Sequence, residues 1–113
     1  MNKKEKATMQ MYTNLLRHPD TFYLDPNYNL EQFAKDLNLN RTYASQFAND
    51  VLGISFRHLL SQLRLKYAAE LMKDQDMTLT DIAKNSGFAS DISFRRAHNK
   101  EYGVNPSERR QNI

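Results

Sequence analysis

Arg95 and Arg96 sit side by side in a stretch, Asp91–Tyr102, whose apolar residues recur at helical spacing. A guanidinium can pair bidentately with guanine O6 and N7, and amides or hydroxyls can pair with adenine edges. With Phe94, Ala97, His98 and Tyr102 as an inner stripe, the outer face carries Asp91, Ile92, Arg95, Arg96 and Asn99. A second stretch, Arg41–Leu52, turns Ala44, Phe47, Ala48 and Val51 inward and Arg41, Thr42, Ser45, Gln46 and Asn49 outward. Their outer faces differ, so two such helices would read different sequences. Ile92 could meet a thymine methyl group, or could be a core residue at the turn. A polar outer face is common to every amphipathic surface helix, and an Arg pair can be merely solvated. The faces alone therefore do not decide the chemistry.

The elements that must position these faces occur twice. Leu30, Phe33, Ala34 and Lys35 recur as Leu79, Ile82, Ala83 and Lys84, 49 positions on. Phe47 and Gly53-Ile54-Ser55 recur as Ala97 and Gly103-Val104-Asn105, 50 positions on, so the second copy has a turn one residue longer. Each copy reads as a short helix, a tight turn and a longer helix, the layout of a helix-turn-helix. Asn29 with Gln32 makes a capping box, Thr78 with Asp81 a weaker one, and Asn40 and Ser90 cap the outer helices. Gly87 suits a left-handed position after a helix end, and Gly53 and Gly103 are the stops.

Upstream, a helix over residues 3–17 has Met9, Tyr12 and Leu16 on one stripe and ends at Pro19-Asp20. A loop follows to Asn29. Between the copies, Ser55–Lys73 carries Phe56, Leu59, Leu60, Leu63, Tyr67, Leu71 and Met72 near helical spacing. Such a helix would span about 28 Å, close to the turn of B-DNA at about 34 Å. It is long enough to set two readers in successive major grooves.

Composition narrows the classes. Sixteen Lys+Arg against thirteen Asp+Glu leave a net charge of +3, all of it in residues 57–113, which hold ten basic and seven acidic side chains. A local basic footprint suits a polyanion but is weak evidence alone. With no cysteine, disulfides, thiolate metal sites and Cys nucleophiles are excluded. His18, His58 and His98 are far apart in sequence, and neither HExxH nor a Gly-rich phosphate loop is present. The reading is therefore not an enzyme, with no catalytic residue, metal or cofactor. Lys3, Lys4 and Lys6 are followed by no apolar run, so no membrane span is expected and a cytoplasmic location fits.

The ordered series Thr78–Ala83, Gly87-Phe88, Phe94-Arg95-Arg96 and Tyr102–Ser107, preceded by Gly53–Phe56 and Leu63-Arg64-Leu65, resembles the signature of AraC/XylS-type transcription regulators over about residues 29–110. The resemblance implies an all-α fold of about seven helices, with two helix-turn-helix subdomains joined by a long central helix. Residues 1–28 would be an N-terminal helix and loop, 29–54 the first helix-turn-helix, 55–75 the linking helix, and 76–113 the second helix-turn-helix with a C-terminal helix.

The resemblance further implies sequence-specific binding of double-stranded DNA by a bacterial activator. By position, base-facing roles fall on Thr42, Ser45 and Gln46 and on Asp91, Ile92, Arg95 and Arg96; Arg41 and Asn49 share the first face. Phosphate contacts are expected from Lys35, Asn40, Lys84, Ser90 and Lys100, while Lys66, Arg109 and Arg110 suit either phosphate or plain solvent. Ala44 and Ala48 stand where larger apolar residues are usual, His98-Asn99 where Phe-Lys is usual, and Ile92 in place of a polar residue. These departures lead us to expect different or looser packing in the first copy and a core histidine, with its polar atoms satisfied, in the second.

RNA polymerase is a further candidate partner. The chain is expected to be a fragment of a longer regulator with a sensing or dimerisation domain, joined near Asp25-Pro26. The competing reading is a helical protein-interaction module that does not read DNA. RNA binding fits less well, because most aromatics fall on inward stripes.

Overall fold

Asn2 opens the first helix. Its side-chain oxygen accepts from the Glu5 amide at 2.8 Å, and the Glu5 carboxylate accepts from the Asn2 amide at 2.9 Å. This reciprocal box satisfies two donors that a helix start would otherwise leave open. The computed structural model describes residues 1–18 and 21–112. The expected stop at Pro19-Asp20 lies outside them. The helices are α1 (Lys3–Arg17), α2 (Leu30–Asp36), α3 (Arg41–Gln46), α4 (Phe56–Leu71), α5 (Leu79–Asn85), α6 (Asp91–Tyr102) and α7 (Pro106–Gln111), with a 3-10 turn at Phe22–Leu24. No strand occurs among the described residues. The all-α, seven-helix architecture is the one expected.

Several boundaries differ from the sequence reading. The first reading stretch is α-helical only to Gln46 and continues as a π-helix over Phe47–Leu52. There the Ala48 carbonyl accepts from the amides of both Gly53 and Ile54. The linking helix has 16 residues rather than 19 and spans about 24 Å. The stretch taken as a plain loop contains the 3-10 turn, and Phe22 within it is buried.

The chain divides into two compact units, Met1–Leu59 and Leu60–Ile113. In the first, aromatic rings form the core. Phe22 meets Tyr28, Tyr28 meets Phe56, Phe56 meets Phe33, Phe33 meets Tyr12, and Tyr12 meets Phe47, with ring centres 4.9 to 6.2 Å apart. Helix α1 is thus built into this unit through Tyr12. Asp25-Pro26 lies in a turn of this unit: the Asp25 carboxylate accepts from the Asn27 amide and its carbonyl from the Tyr28 amide. The stripe on α1 is also rotated from expectation, since Leu16 is exposed while Thr8 is buried. Ala44 and Ala48 have no exposed surface.

The second unit is filled with aliphatic side chains. Leu65 and Ala68 of α4 and Met72 just after it pack with Ile82 and Ala83 of α5, Phe88 and Phe94. Leu65 and Ala68, both missed by the sequence stripe, are among its most buried members. The Arg110 guanidinium donates to the Asp74 carbonyl, tying α7 to the segment after α4.

Candidate nucleic-acid interface

Each reading helix is fixed by a turn whose chemistry the sequence specifies. Asn29 and Gln32 make the expected full capping box, with bonds of 3.0 and 2.9 Å. Thr78 accepts from the Asp81 amide at 3.1 Å without a reciprocal bond, so it caps on one side only. In the turns, Asn38 (φ 57°) and Gly87 (φ 87°) occupy matching left-handed positions. Only Gly takes this region freely, with Asn among the few tolerated alternatives. The next amide then closes on the same repeat position: Leu39 to the Ala34 carbonyl at 2.8 Å, and Phe88 to the Ala83 carbonyl at 3.1 Å. Asn40 and Ser90 cap the reading helices through the Tyr43 and Ser93 amides.

The inward and outward residues of the first outer face have the exposure expected of an amphipathic helix. Ala44, Phe47 and Ala48 are buried, Val51 is half-buried, Arg41, Thr42, Gln46 and Asn49 are exposed, and Ser45 is half-buried. Arg41 lies 3.8 Å from the exposed Glu31, a pair too solvated to hold it firmly. The Asn49 amide folds back to donate to the Ser45 carbonyl at 3.0 Å, so bidentate pairing with a base would require that bond to open.

On the second face, Phe94 and His98 are buried, Ala97 is half-buried, and Ile92, Arg95, Arg96 and Asn99 are exposed. Ile92 keeps 62% of its surface open and is not a core residue. Neither Arg95 nor Arg96 makes an ion pair among the described residues. Asp91 is partly engaged: it is half-buried and accepts from the Thr80 hydroxyl at 3.0 Å, which ties the start of α6 to α5. Tyr102, read as inward, is exposed to 38% and stacks under the Arg109 guanidinium at 3.7 Å. Arg109 and Arg110 are half-buried within their own unit.

Of the expected phosphate contacts, Lys35, Asn40, Lys84, Ser90 and Lys100 are all exposed. Asn40 and Ser90 spend their oxygens on caps. Sequence reasoning missed Tyr43, which is 49% exposed on the first reading helix and carries the Lys4 ammonium 4.5 Å from its ring centre. No local signal marks that contact, because it depends on where α1 packs.

His98 is a core histidine, but only one of its nitrogens is satisfied. Nδ1 lies 2.7 Å from the Val104 carbonyl and Nε2 is buried without a partner among the described residues. Burial holds the imidazole below the usual histidine range, the Val104 carbonyl pulls the other way, and the nearby Arg109 charge lowers it further. The neutral ring with its proton on Nδ1 fits this site: it donates to Val104 and leaves no buried N–H unmatched. No group of three His, Cys, Asp or Glu side chains that could hold a metal occurs among the described residues. No helix among them is long and apolar enough to cross a membrane.

Two capped helix pairs, each turning a polar or cationic face outward, define a helix-turn-helix protein. Residues 33–112 match the family described as helix-turn-helix domain, and the chain belongs to this family in its AraC/XylS form. It is 31% identical over 84 residues to the HTH-type transcriptional regulator ExsA of Pseudomonas aeruginosa, covering 74% of this chain and 30% of that protein. It is 30% identical over 92 residues to the virulence regulon transcriptional activator VirF of Yersinia enterocolitica, covering 78% and 34%. The chain thus spans about a third of the length of these curated relatives. Among solved structures, the C-terminal domain of AraT, a response regulator from Geobacillus stearothermophilus, superposes with a TM-score of 0.81 at 28% identity, covering 99% of this chain and 89% of that one. The DNA-binding domain of AdpA, solved in complex with a target DNA, shares the fold at a TM-score of 0.79 and 18% identity, covering 94% and 91%.

Proposed function

We propose that this chain binds double-stranded DNA sequence-specifically with two unlike readers, α3 and α6, in successive major grooves of one duplex. Thr42, Ser45 and Gln46, flanked by Arg41 and Asn49, supply neutral donors and acceptors suited to A·T pairs. Arg95 and Arg96 supply bidentate donors for guanine, and Ile92 an apolar contact for a thymine methyl. Asp91, already bonded to Thr80, offers its remaining lone pairs to a cytosine amine. Lys35, Lys84 and Lys100, with the Asn40 amide donor and Ser90, hold phosphates and set the register. The observation that carries this reading is the pair of exposed guanidiniums on α6, making no ion pair among the described residues, on a helix whose Phe94 and His98 are buried. They argue against the interaction module, whose docking face would be better served without that charge.

We further propose that the reader serves a transcription activator in contact with RNA polymerase, joined in the whole regulator to a sensing or dimerisation domain. ExsA and VirF, a regulator and an activator by name, are about three times as long as the matched stretch. Site selection from a random duplex library, followed by retesting the winners against scrambled DNA across a salt series, tests the reading. Two unlike sequence blocks about one helical turn apart are expected. Salt-sensitive binding with no sequence preference would reduce the protein to a basic surface, and no binding at low salt would favour the interaction module.

A further inference from the structure

Lys4 sits in the first turn of α1, where a positive charge opposes the helix dipole and an acidic residue would be favoured. Its charge does nothing for the helix start, which Asn2 and Glu5 already complete through their reciprocal bonds. Instead the ammonium lies over the ring of Tyr43, 4.5 Å from its centre, on the exposed side of the first reading helix. Such a cation–π contact orients the side chain while leaving the ammonium's protons to other acceptors. Lys4, Tyr43 and Gln46 line one cleft of about 220 Å³. Glu5 and Asp50 line it too, but Glu5 accepts from the Asn2 amide, and neither makes an ion pair with Lys4 among the described residues. The result is a cation placed beside a base-reading side chain by an element outside the helix-turn-helix.

We infer that Lys4 is a phosphate contact of the first reader, held by Tyr43 so that α1 widens the DNA-binding surface beyond the duplicated unit. This assignment rests on the DNA-reading proposal above. Its occupant is a duplex backbone, chosen because the cleft is shared with Gln46 of the proposed reading face. Glu5 and Asp50 also line it, so the contact rests on the Lys4 ammonium alone and not on a basic cleft. A phosphate contact carries no base information, so it strengthens binding on every sequence.

The test measures binding of wild type, Lys4→Gln, Lys4→Arg and Lys6→Gln to the selected duplex and to scrambled duplex across a salt series. Lys6 serves as the control: it carries the same charge on the same helix but lies about 200° around it and does not line the cleft. Lys4→Gln is expected to reduce the log–log salt slope by about 0.9, one phosphate's worth, and to weaken both duplexes by the same factor. Lys4→Arg should restore slope and affinity, Lys6→Gln should leave the slope at the wild-type value, and the melting midpoint of Lys4→Gln should not fall. An unchanged slope in Lys4→Gln overturns the assignment, as does an equal loss in Lys6→Gln, which would reduce the effect to net charge. Loss confined to one block of the selected site would make Lys4 a base reader and also overturn it. If wild type binds neither duplex at low salt, the DNA-reading proposal fails and this assignment with it; if wild type binds normally, only the Lys4 role is at stake.

Discussion

Replacing Arg95 or Arg96 by alanine separates base reading from general attraction. Both side chains are exposed, make no ion pair among the described residues and lie off the core of their unit. Their removal should therefore change folding stability by no more than about 0.5 kcal/mol. The whole effect then appears in binding. Loss of a bidentate guanine contact removes about 1–3 kcal/mol of discrimination, which is about a 5- to 150-fold weakening on the selected duplex. Fluorescence anisotropy with the selected duplex, with the same duplex altered at the guanine, and with scrambled DNA forms a cycle between protein and base. The contact requires that Arg→Ala and the base change together cost little more than either alone, because each has already removed it. Gln46→Ala should show the same non-additivity against a base in the other block. An Arg variant that weakens selected and scrambled duplexes equally would be a phosphate contact, and one that leaves both unchanged would refute base reading at that position.

Three further outcomes are expected. Phe33→Ala, at a ring with no exposed surface that bridges Tyr12 and Phe56, should cost about 3–5 kcal/mol in denaturant unfolding of the first unit; a loss below 1 kcal/mol would mean the ring ladder is not the core. Because burial lowers the folded-state affinity of His98 for a proton, the unfolded chain binds more protons as pH falls, so stability should be complete above the unfolded value near 6.5 and decline below it, by at most about 1.4 kcal/mol per pH unit. His98→Phe should flatten that slope, and an identical slope in the variant would place the titrating group elsewhere. At Asn38 (φ 57°), Gly should be accepted while Ala costs about 1 kcal/mol in thermal unfolding, and equal stability of the two would show that the turn relaxes out of its left-handed form.

The turns and reading faces were legible because their signals are local. A cap, a left-handed residue and an i, i+3, i+4 stripe each follow from neighbours within a few positions. Hence Asn29, Asn40, Ser90, Gly87 and the inward Ala44, Phe47 and Phe94 stand where the sequence puts them. Reading by polarity failed where a polar group satisfies itself. Thr8 is buried on α1 because its hydroxyl bonds back to the Lys4 carbonyl at 3.1 Å, so the stripe turns away from Leu16. Leu65 and Ala68 of α4, with Met72 just beyond its end, are spaced i, i+3 and i+7 and form the buried stripe in the second unit. They were hidden by an apolar pattern dense enough to support more than one stripe. The Lys4–Tyr43 contact left no sequence trace, since it arises from how two elements meet.

The differences between the two copies are themselves ordered by packing. At matched positions Phe47-Ala48 becomes Ala97-His98, so each copy keeps one ring but moves it by one residue. In the first unit α1 offers Tyr12, and the ring at 47 meets it at 6.0 Å while Ala48 stays small against the core. In the second unit α4 offers Leu65 and Ala68, its following turn offers Met72, and an alanine at 97 suffices beside that aliphatic cluster. The ring then stands at 98, where it meets Phe94 at 6.0 Å and Tyr102 at 4.7 Å along its own helix. A phenylalanine would keep a ring there but would leave the Val104 carbonyl without the donor that Nδ1 provides at 2.7 Å. Histidine therefore closes the turn after α6, with Nε2 left without a partner among the described residues.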